Sequence, residues 1–288
     1  MGKLTIKPNR DITSELIDEI SLFNGYNDSY FTVTRDKERY VDNDTNRFIE
    51  EIIESHAEEF KEFVAYTDFD LLITTERGKI IRFEENTLGD LVTDGLRYVG
   101  KSDCAMFNAG SIRENINKGN ITFNHILNTL PFSAKIIVKE IPGKDILDAL
   151  EFSVRSLPIE SSKFLQISGI KFKVDDSFES TVDIDEYENF IKVRGERRVY
   201  DVYIGNKKLD ENKIYTVTFD DFLGEGGDGY SMFSKYGLFN DTSLEDNEAF
   251  KLFLEQGLNR TVPEIYKTTQ GRIVKQKKES CYSSITKK

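Results

Sequence analysis

Thr218 to Tyr230 reads TFDDFLGEGGDGY. The apolar alternation that begins at Ile214 has strand periodicity and ends at Phe219, where a glycine-rich loop takes over. That loop carries one aromatic side chain, Phe222, and one carboxylate among its last glycines, Asp228. Glycine tolerates positive φ and lets another group come close to the backbone, so the loop has the makings of a holding device. Gly224 to Gly229 matches G-x-G-x-x-G. Glu225 and Asp228 would nevertheless set negative charge against a pyrophosphate, and no βαβ unit with a ribose-binding acid follows. A kinase-type glycine loop fails on the same charge, and its strand Lys and catalytic Asp motifs are missing. Whatever this loop holds, it is not read as a phosphate cradle.

Outward from the loop, strands and helices are mixed. On its N-terminal side Val199–Ile204 and Ile214–Phe219 read as strands around a turn-rich connection, preceded by a polar, acidic insertion at 175–197. Phe164–Val174 is a strand broken at Ser168-Gly169, the mark of a bulge or a close approach. Asp145–Leu157 is an amphipathic helix stopped by Pro158, after a strong strand at Ala134–Ile141 and a Pro142-Gly143 turn. Further upstream come a short helix at Phe123–Leu127, a turn at Gly119–Thr122 and a buried strand at Ala105–Phe107 with its turn Asn108–Arg113. A helix with Leu88, Leu91, Val92 and Leu96 on one face opens at Thr87 with a capping-box pattern. Asp90 and Asp94 in its first turns suit the helix dipole better than paired acid/base work. Asp70–Thr74 and Lys79–Phe83 read as two strands.

Asp44 or Thr45 caps a helix that runs to about Val64, and Tyr30–Thr34 reads as a strand. His56, on or beside that helix's apolar stripe, reads as structural, and His125 as an exposed bystander, because neither has ligand-spaced partners. Downstream, a helix at Leu244–Leu258 and a strand at Gly271–Val274 close the pattern. The mixture of hairpins and helix crossovers predicts an α+β fold, a mixed β-sheet packed with helices.

Composition bounds the partners. The chain has 288 residues, 38% of them hydrophobic and 31% charged, with a formal net charge of −12. Such acidity argues against nucleic acid or an anionic membrane as a partner, while a nucleotide needs only one or two local arginines. The two cysteines, Cys104 and Cys281, are too few for a disulfide scaffold, and Cys104 reads as a small core residue. The opening MGKLTIKPNRDITSEL shows no apolar run of signal-peptide or membrane-span length. Five Asn-x-Ser/Thr sequons, at Asn27, Asn43, Asn120, Asn240 and Asn259, hint at a secretory ancestry without fixing a compartment.

Taken in order, IRFEENTLGDLVTDG, NAGSIRENINKGNITFNHILNTLPF, FLQISGIKF and FDDFLGEGGDGY form a set. That set resembles the C-terminal domain of the 5'-nucleotidase family, which includes UDP-sugar hydrolases and 2',3'-cyclic phosphodiesterases. The likeness runs from Thr75 to Ile273, roughly two thirds of the chain. It implies a nucleoside-binding half-site in which Phe132 and Phe222 sandwich the base and Asp228 holds the ribose hydroxyls. Asn108 would contact the base, Arg113 and Arg82 would reach ribose or phosphate, and Gly169 would let a pocket wall approach the ligand. Residue by residue the alternatives are plainer: the two Phe as core, the two Arg as surface salt bridges.

Two departures from the family pattern bear on pocket shape. Its NGGGIR is NAGSIR here, and its LGN is Leu88-Gly89-Asp90. A third concerns chemistry. Catalysis in the family belongs to an N-terminal metallophosphatase domain with two divalent metals. The Asp-x-His, Gly-Asn-His-Glu and Gly-His-x-His ligand motifs are not found among this chain's two histidines. The resemblance thus implies residues 1–41 as the tail or remnant of an N-terminal domain, 42–66 as an interdomain-type helix and 67–275 as the C-terminal domain. A basic tail at 276–288 is expected to be disordered. It further implies a nucleoside or nucleotide ligand, no cofactor held by this chain, and a metallophosphatase domain acting in trans as a partner.

Overall fold

The computed structural model describes residues 57–278, the strand backbones of β1 (Gly2–Ile6) and β2 (Ile12–Leu16), and helical positions at Arg47, Phe48, Glu51 and Ser55. The expected strand at Tyr30–Thr34, His56, Cys281 and residues 279–288 lie outside the described residues. Two compact units result, Met1–Glu58 and Glu59–Lys288. In the first, β1 and β2 form an antiparallel hairpin with Gly2 opposite Leu16.

The second unit opens with β3 (Phe63–Thr67). The expected helix therefore stops short of Val64: helical backbone ends at Phe60, and Phe63-Val64-Ala65-Tyr66-Thr67 is extended. Aromatic and β-branched side chains favour the pleat, and a partner strand settles the matter, with Phe63 opposite Thr122 and Thr67 opposite Gly119. That partner is β5 (Gly119–Thr122), so the expected turn there is a strand. The two strands expected at 70–74 and 79–83 do not form. Leu71 makes a single bridge to Ile116, and Ile80–Arg82 is a 3-10 turn. Side chains fill the backbone's needs instead, Asn115 Oδ1 accepting from Ile73 N at 2.8 Å and Gln166 Nε2 donating to Ile81 O at 2.8 Å.

Helix α1 (Thr87–Gly100) starts one residue earlier than a cap at Thr87 would allow. Asn86, extended at φ −136°, ψ 137°, is the cap, its side chain accepting from Leu88 N and Gly89 N, while Thr87 is already helical. Leu88, Leu91, Val92 and Leu96 are fully buried. Asp90 and Asp94 do more than face the helix dipole. Arg272, 5% exposed, reaches Asp90 Oδ1 at 3.3 Å and Asp94 Oδ2 at 2.7 Å. Asp94 also accepts from Ser168 Oγ and from Tyr266 OH. The acids expected to serve the helix dipole thus pair with a buried arginine, because Arg272, 178 residues on from Asp94, meets α1 only in the fold.

A five-stranded mixed sheet forms the heart of the unit, in the order β14-β6-β13-β4-β7. Its members are β4 (Cys104–Asn108), β6 (Lys135–Pro142), β7 (Leu165–Ser168), β13 (Ile214–Asp220) and β14 (Leu238–Glu245). β13 runs parallel to β4 and antiparallel to β6. A second sheet, β12-β11-β8-β15, comprises β8 (Ile170–Val174), β11 (Val199–Ile204), β12 (Lys207–Lys208) and β15 (Ile273–Lys275). The expected strand 164–174 is thereby split between two sheets, and Gly169 is the hinge. Its φ is +74°, and a Cβ there would lie 2.4 Å from Asp103 O and 3.0 Å from Arg97 Nε.

Helices α2 (Phe123–Thr129), α3 (Gly143–Ser153) and α5 (Asp246–Leu252) pack around the sheets, and a four-residue α4 (Asp221–Gly224) follows β13. Pro142 caps α3 rather than turning the chain, and α3 ends at Ser153, before the expected Leu157. α5 starts after Leu244, which belongs to β14, and continues as a π-turn at Phe253–Gly257. His125 is no bystander: its Nδ1 accepts from Thr122 N at 3.0 Å and closes a capping box at α2. The insertion at 175–197 contains a hairpin of β9 (Val182–Ile184) and β10 (Phe190–Val193). Residues 276–278 are anchored, Gln276 N donating to Val174 O and Lys278 Nζ to Glu196 Oε1. The mixed sheets packed with helices make the fold α+β, and no described helix is long and apolar enough to cross a membrane.

Candidate functional site

Parallel pairing of β4 with β13 brings their C-terminal ends to one edge of the main sheet, with Thr218 opposite Ala105. β6 is antiparallel to β13, so its start comes to that same edge, Asp220 opposite Ile136. Three connections therefore converge there: Asn108–Arg113 after β4, Phe132–Ala134 before β6, and Asp220–Asp228 after β13. They enclose a cleft of about 540 Å³ lined by Asn108, Arg113, Phe132, Asp220, Phe222 and Asp228, with small residues between them. Carboxyl ends of neighbouring parallel strands are where mixed sheets open such crevices.

Phe132 and Phe222 are 57% and 50% exposed, so neither is a core residue. The Arg113 guanidinium lies 5.8 Å from the Phe132 ring centroid and donates to Gly110 O. Among the described residues it meets no carboxylate, which removes the salt-bridge reading. Phe222 rests directly on the glycine loop: a Cβ at Gly227 would come within 2.6 Å of its ring. Asp228 takes up φ 55°, ψ 17°, the left-handed region that Asp tolerates better than most residues. Asn108, 3% exposed, donates from Nδ2 to Asp228 Oδ2 at 2.8 Å and accepts at Oδ1 from Ser111 Oγ at 2.8 Å. One of its amide hydrogens thus fixes Asp228, a task the sequence did not suggest for it. Ser111, the hydroxymethyl departure from the family's NGGGIR, is what completes this chain of hydrogen bonds.

Two of the seven expected residues lie away from the cleft lining. Gly169 faces Asp103 and Arg97 at the junction of the sheets, so the close approach it permits is by the protein itself. Arg82 sits half-buried on the 3-10 turn, its carbonyl accepting from Ser161 N, one residue from the cleft-lining Ser162. Its guanidinium has no hydrogen bond or ion pair among the described residues.

Residues that sequence reasoning passed over support the cleft from beneath. Lys139, 1% exposed in the middle of β6, sends Nζ to Gly224 O and Glu225 Oε1, each at 2.8 Å. A lone Lys inside the apolar run IIVKEI was the available signal. Lys139→Met should raise amide exchange across 222–229 by about fivefold, since a lost hydrogen bond is worth ~1 kcal/mol. Global stability should shift by less than ~2 kcal/mol, Met filling the same apolar channel. Uniform exchange changes across the domain would contradict this anchoring role, as read by hydrogen–deuterium exchange. Asp220, 2% exposed, is the N-cap of α4, with Oδ1 accepting from Leu223 N at 2.8 Å. Burial, reinforced by Asp246, Asp221 and Asp228, raises its carboxyl to about 7. Asp246 is raised to about 7 as well, first by burial.

The sequence profile of the 5'-nucleotidase C-terminal domain matches residues 66–235. The chain belongs to the 5'-nucleotidase family. Its 5'-nucleotidase C-terminal domain is 27% identical over 176 residues to the 5'-nucleotidase of Vibrio parahaemolyticus, covering 61% of this chain and 28% of that protein. It is 31% identical over 221 residues to the trifunctional nucleotide phosphoesterase YfkN of Bacillus subtilis, covering 74% of this chain and 14% of that protein. Among solved structures, the 5'-nucleotidase precursor of Thermus thermophilus superposes with a TM-score of 0.67 at 25% identity, over 81% of this chain and 43% of that one. The chain therefore spans well under half the length of these relatives. The family match encloses the whole cleft, from Asn108 to Asp228.

Proposed function

We propose that this domain binds a nucleoside or nucleotide in the cleft, as the substrate-binding half of a 5'-nucleotidase-type phosphoesterase of nucleotide catabolism. One observation carries the reading. Two half-exposed phenylalanines line a cleft of about 540 Å³ that also holds a carboxylate pinned by a buried Asn. An aromatic pair offers stacking that any base satisfies, and a carboxylate suits two vicinal hydroxyls. Arg113 in the cleft lining suits a phosphate oxygen, and so would Arg82 if its side chain reaches the ligand. Among the described residues no group of three or more His, Cys, Asp or Glu gathers to hold a metal. Hydrolysis is assigned to a metallophosphatase domain, in trans or elsewhere in the same polypeptide. The family relatives named as nucleotidases and nucleotide phosphoesterases support the substrate class.

Titration calorimetry with adenosine and AMP tests this. Binding is expected with both, and Phe132→Ala and Phe222→Ala should each cost about 1–3 kcal/mol of it. Absence of heat with every nucleoside, from protein of native circular dichroism, would refute the proposal.

A further inference from the structure

Between the two phenylalanines, the inner wall of the cleft is made by Asp220 and Asp221 on one side and Ser133 and Ala134 on the other. The register of β13 on β6 sets this arrangement, because Asp220 opposite Ile136 places the residues preceding Phe222 beside those following Phe132. Most polar atoms on the β6 side are already occupied. Ala134 O accepts from Asp246 N at 2.8 Å, and Ser133 Oγ accepts from Asn247 Nδ2 at 3.1 Å. Asp220 differs. Its Oδ1 is held by Leu223 N, but among the described residues no donor reaches Oδ2, although the residue is only 2% exposed and lines the cleft. That oxygen keeps the residue's small remaining exposure at the cleft wall, where a ligand donor can pair with it.

Building on the nucleoside reading above, we infer that Asp220 is a specificity-determining residue whose Oδ2 accepts from an exocyclic amine on the base edge. The substrate class this selects is amino-bearing bases, adenine and cytosine, over their oxo counterparts, hypoxanthine and uracil. An oxo group would put a second acceptor against Oδ2, an unpaired arrangement of the kind that polar sites reject most strongly. Discrimination rests on the ionised carboxylate. Burial, together with repulsion from Asp246, Asp221 and Asp228, favours its protonated form. Preference for the amine should accordingly sharpen above neutral pH and fade below it.

The loop's own architecture supplies a distinctive test. In Asp220→Asn the cap still requires an acceptor at Leu223 N, so the amide oxygen takes the place of Oδ1 and the NH2 group turns toward the cleft. The acceptor on the cleft wall becomes a donor. Calorimetry near pH 8.5, with adenosine against inosine and cytidine against uridine, should give about tenfold tighter binding of the amino member to the wild-type chain. Asp220→Asn should reverse the order in both pairs, which loss of structure alone cannot do. Asp220→Ser retains the cap with a shorter side chain and should bring both ratios close to one, and it serves if the Asn variant does not fold. Equal affinities for amino and oxo members in the wild type, or ratios unmoved in both variants, would overturn the assignment of Asp220 while leaving the nucleoside cleft standing. No binding of any nucleoside would instead refute the underlying cleft reading, and this inference with it.

Discussion

Arg272→Met is expected to destabilise the domain by about 3–5 kcal/mol, because it strips the counter-charge from buried Asp90 and part-buried Asp94 at once. Arg272 Nη2 holds Asp94 Oδ2 at 2.7 Å, Nε lies 3.3 Å from Asp90 Oδ1, and Nη1 donates to Ile167 O at 2.7 Å. Asp94 keeps hydrogen bonds from Ser168 and Tyr266, whereas Asp90 makes its ion-pair contact without a hydrogen bond. Asp90, 1% exposed, is therefore the least-satisfied member of the cluster. Burial drives its carboxyl up to about 8, with Glu85 and Asp94 adding to the rise and Arg272 opposing it.

The sign of the pH dependence follows. A carboxyl whose pKa is higher folded than unfolded contributes stability that is complete below the unfolded value near 4 and is lost as pH rises through about 8. The wild-type domain should lose stability between about pH 5 and pH 9 on this account, and Arg272→Met should lose more over that interval, since the attraction favouring ionised Asp90 is gone. Asp90→Asn should flatten the slope. Urea unfolding at several pH values measures all three, and a pH-independent cost of Arg272→Met would exclude the proposed coupling to Asp90.

Asp228→Asn is expected to weaken adenosine binding by about tenfold to a hundredfold, the worth of hydrogen bonds to a charged acceptor. Asn occupies the left-handed region nearly as readily as Asp, so the backbone at φ 55° is spared and the loop keeps its shape. Its amide oxygen can still accept from Asn108 Nδ2, the bond that holds the native carboxylate at 2.8 Å. On the proposed reading, what the substitution removes is the charge that would face the sugar. A 2',3'-dideoxynucleoside has no hydroxyls to lose, so its affinity should be the same for wild type and variant. Equal losses with adenosine and the dideoxy analogue would show that Asp228 acts through the fold and not through the ribose.

Much of the framework was legible because its signals are local. The period of α1, the alternation in β6 and β13, and the glycine loop each announce themselves within a dozen residues. Where the reading failed, a distant partner decided. Phe63-Val64 continues a helical stripe in sequence yet is drawn into a strand by β5, almost sixty residues on. The 70–83 segment has the composition of strands, but Asn115 and Gln166 satisfy its backbone and no ladder forms. Gly169 was correctly seen as a place of close approach, and only the fold identified the approaching groups as Asp103 and Arg97.

The loop at Thr218–Tyr230 shows the same division. Its sequence alone determined that a strand ends in a glycine loop bearing Phe222, Glu225 and Asp228, and that these acids are ill suited to phosphate. Tertiary structure decided what they join. Parallel pairing of β4 and β13 carries Asn108 to Asp228, antiparallel β6 brings Phe132 to the cleft that Phe222 lines, and Lys139 clamps the loop from below. None of these contacts is written locally, because strand order and register are properties of the whole sheet, chosen by which faces the apolar side chains must bury.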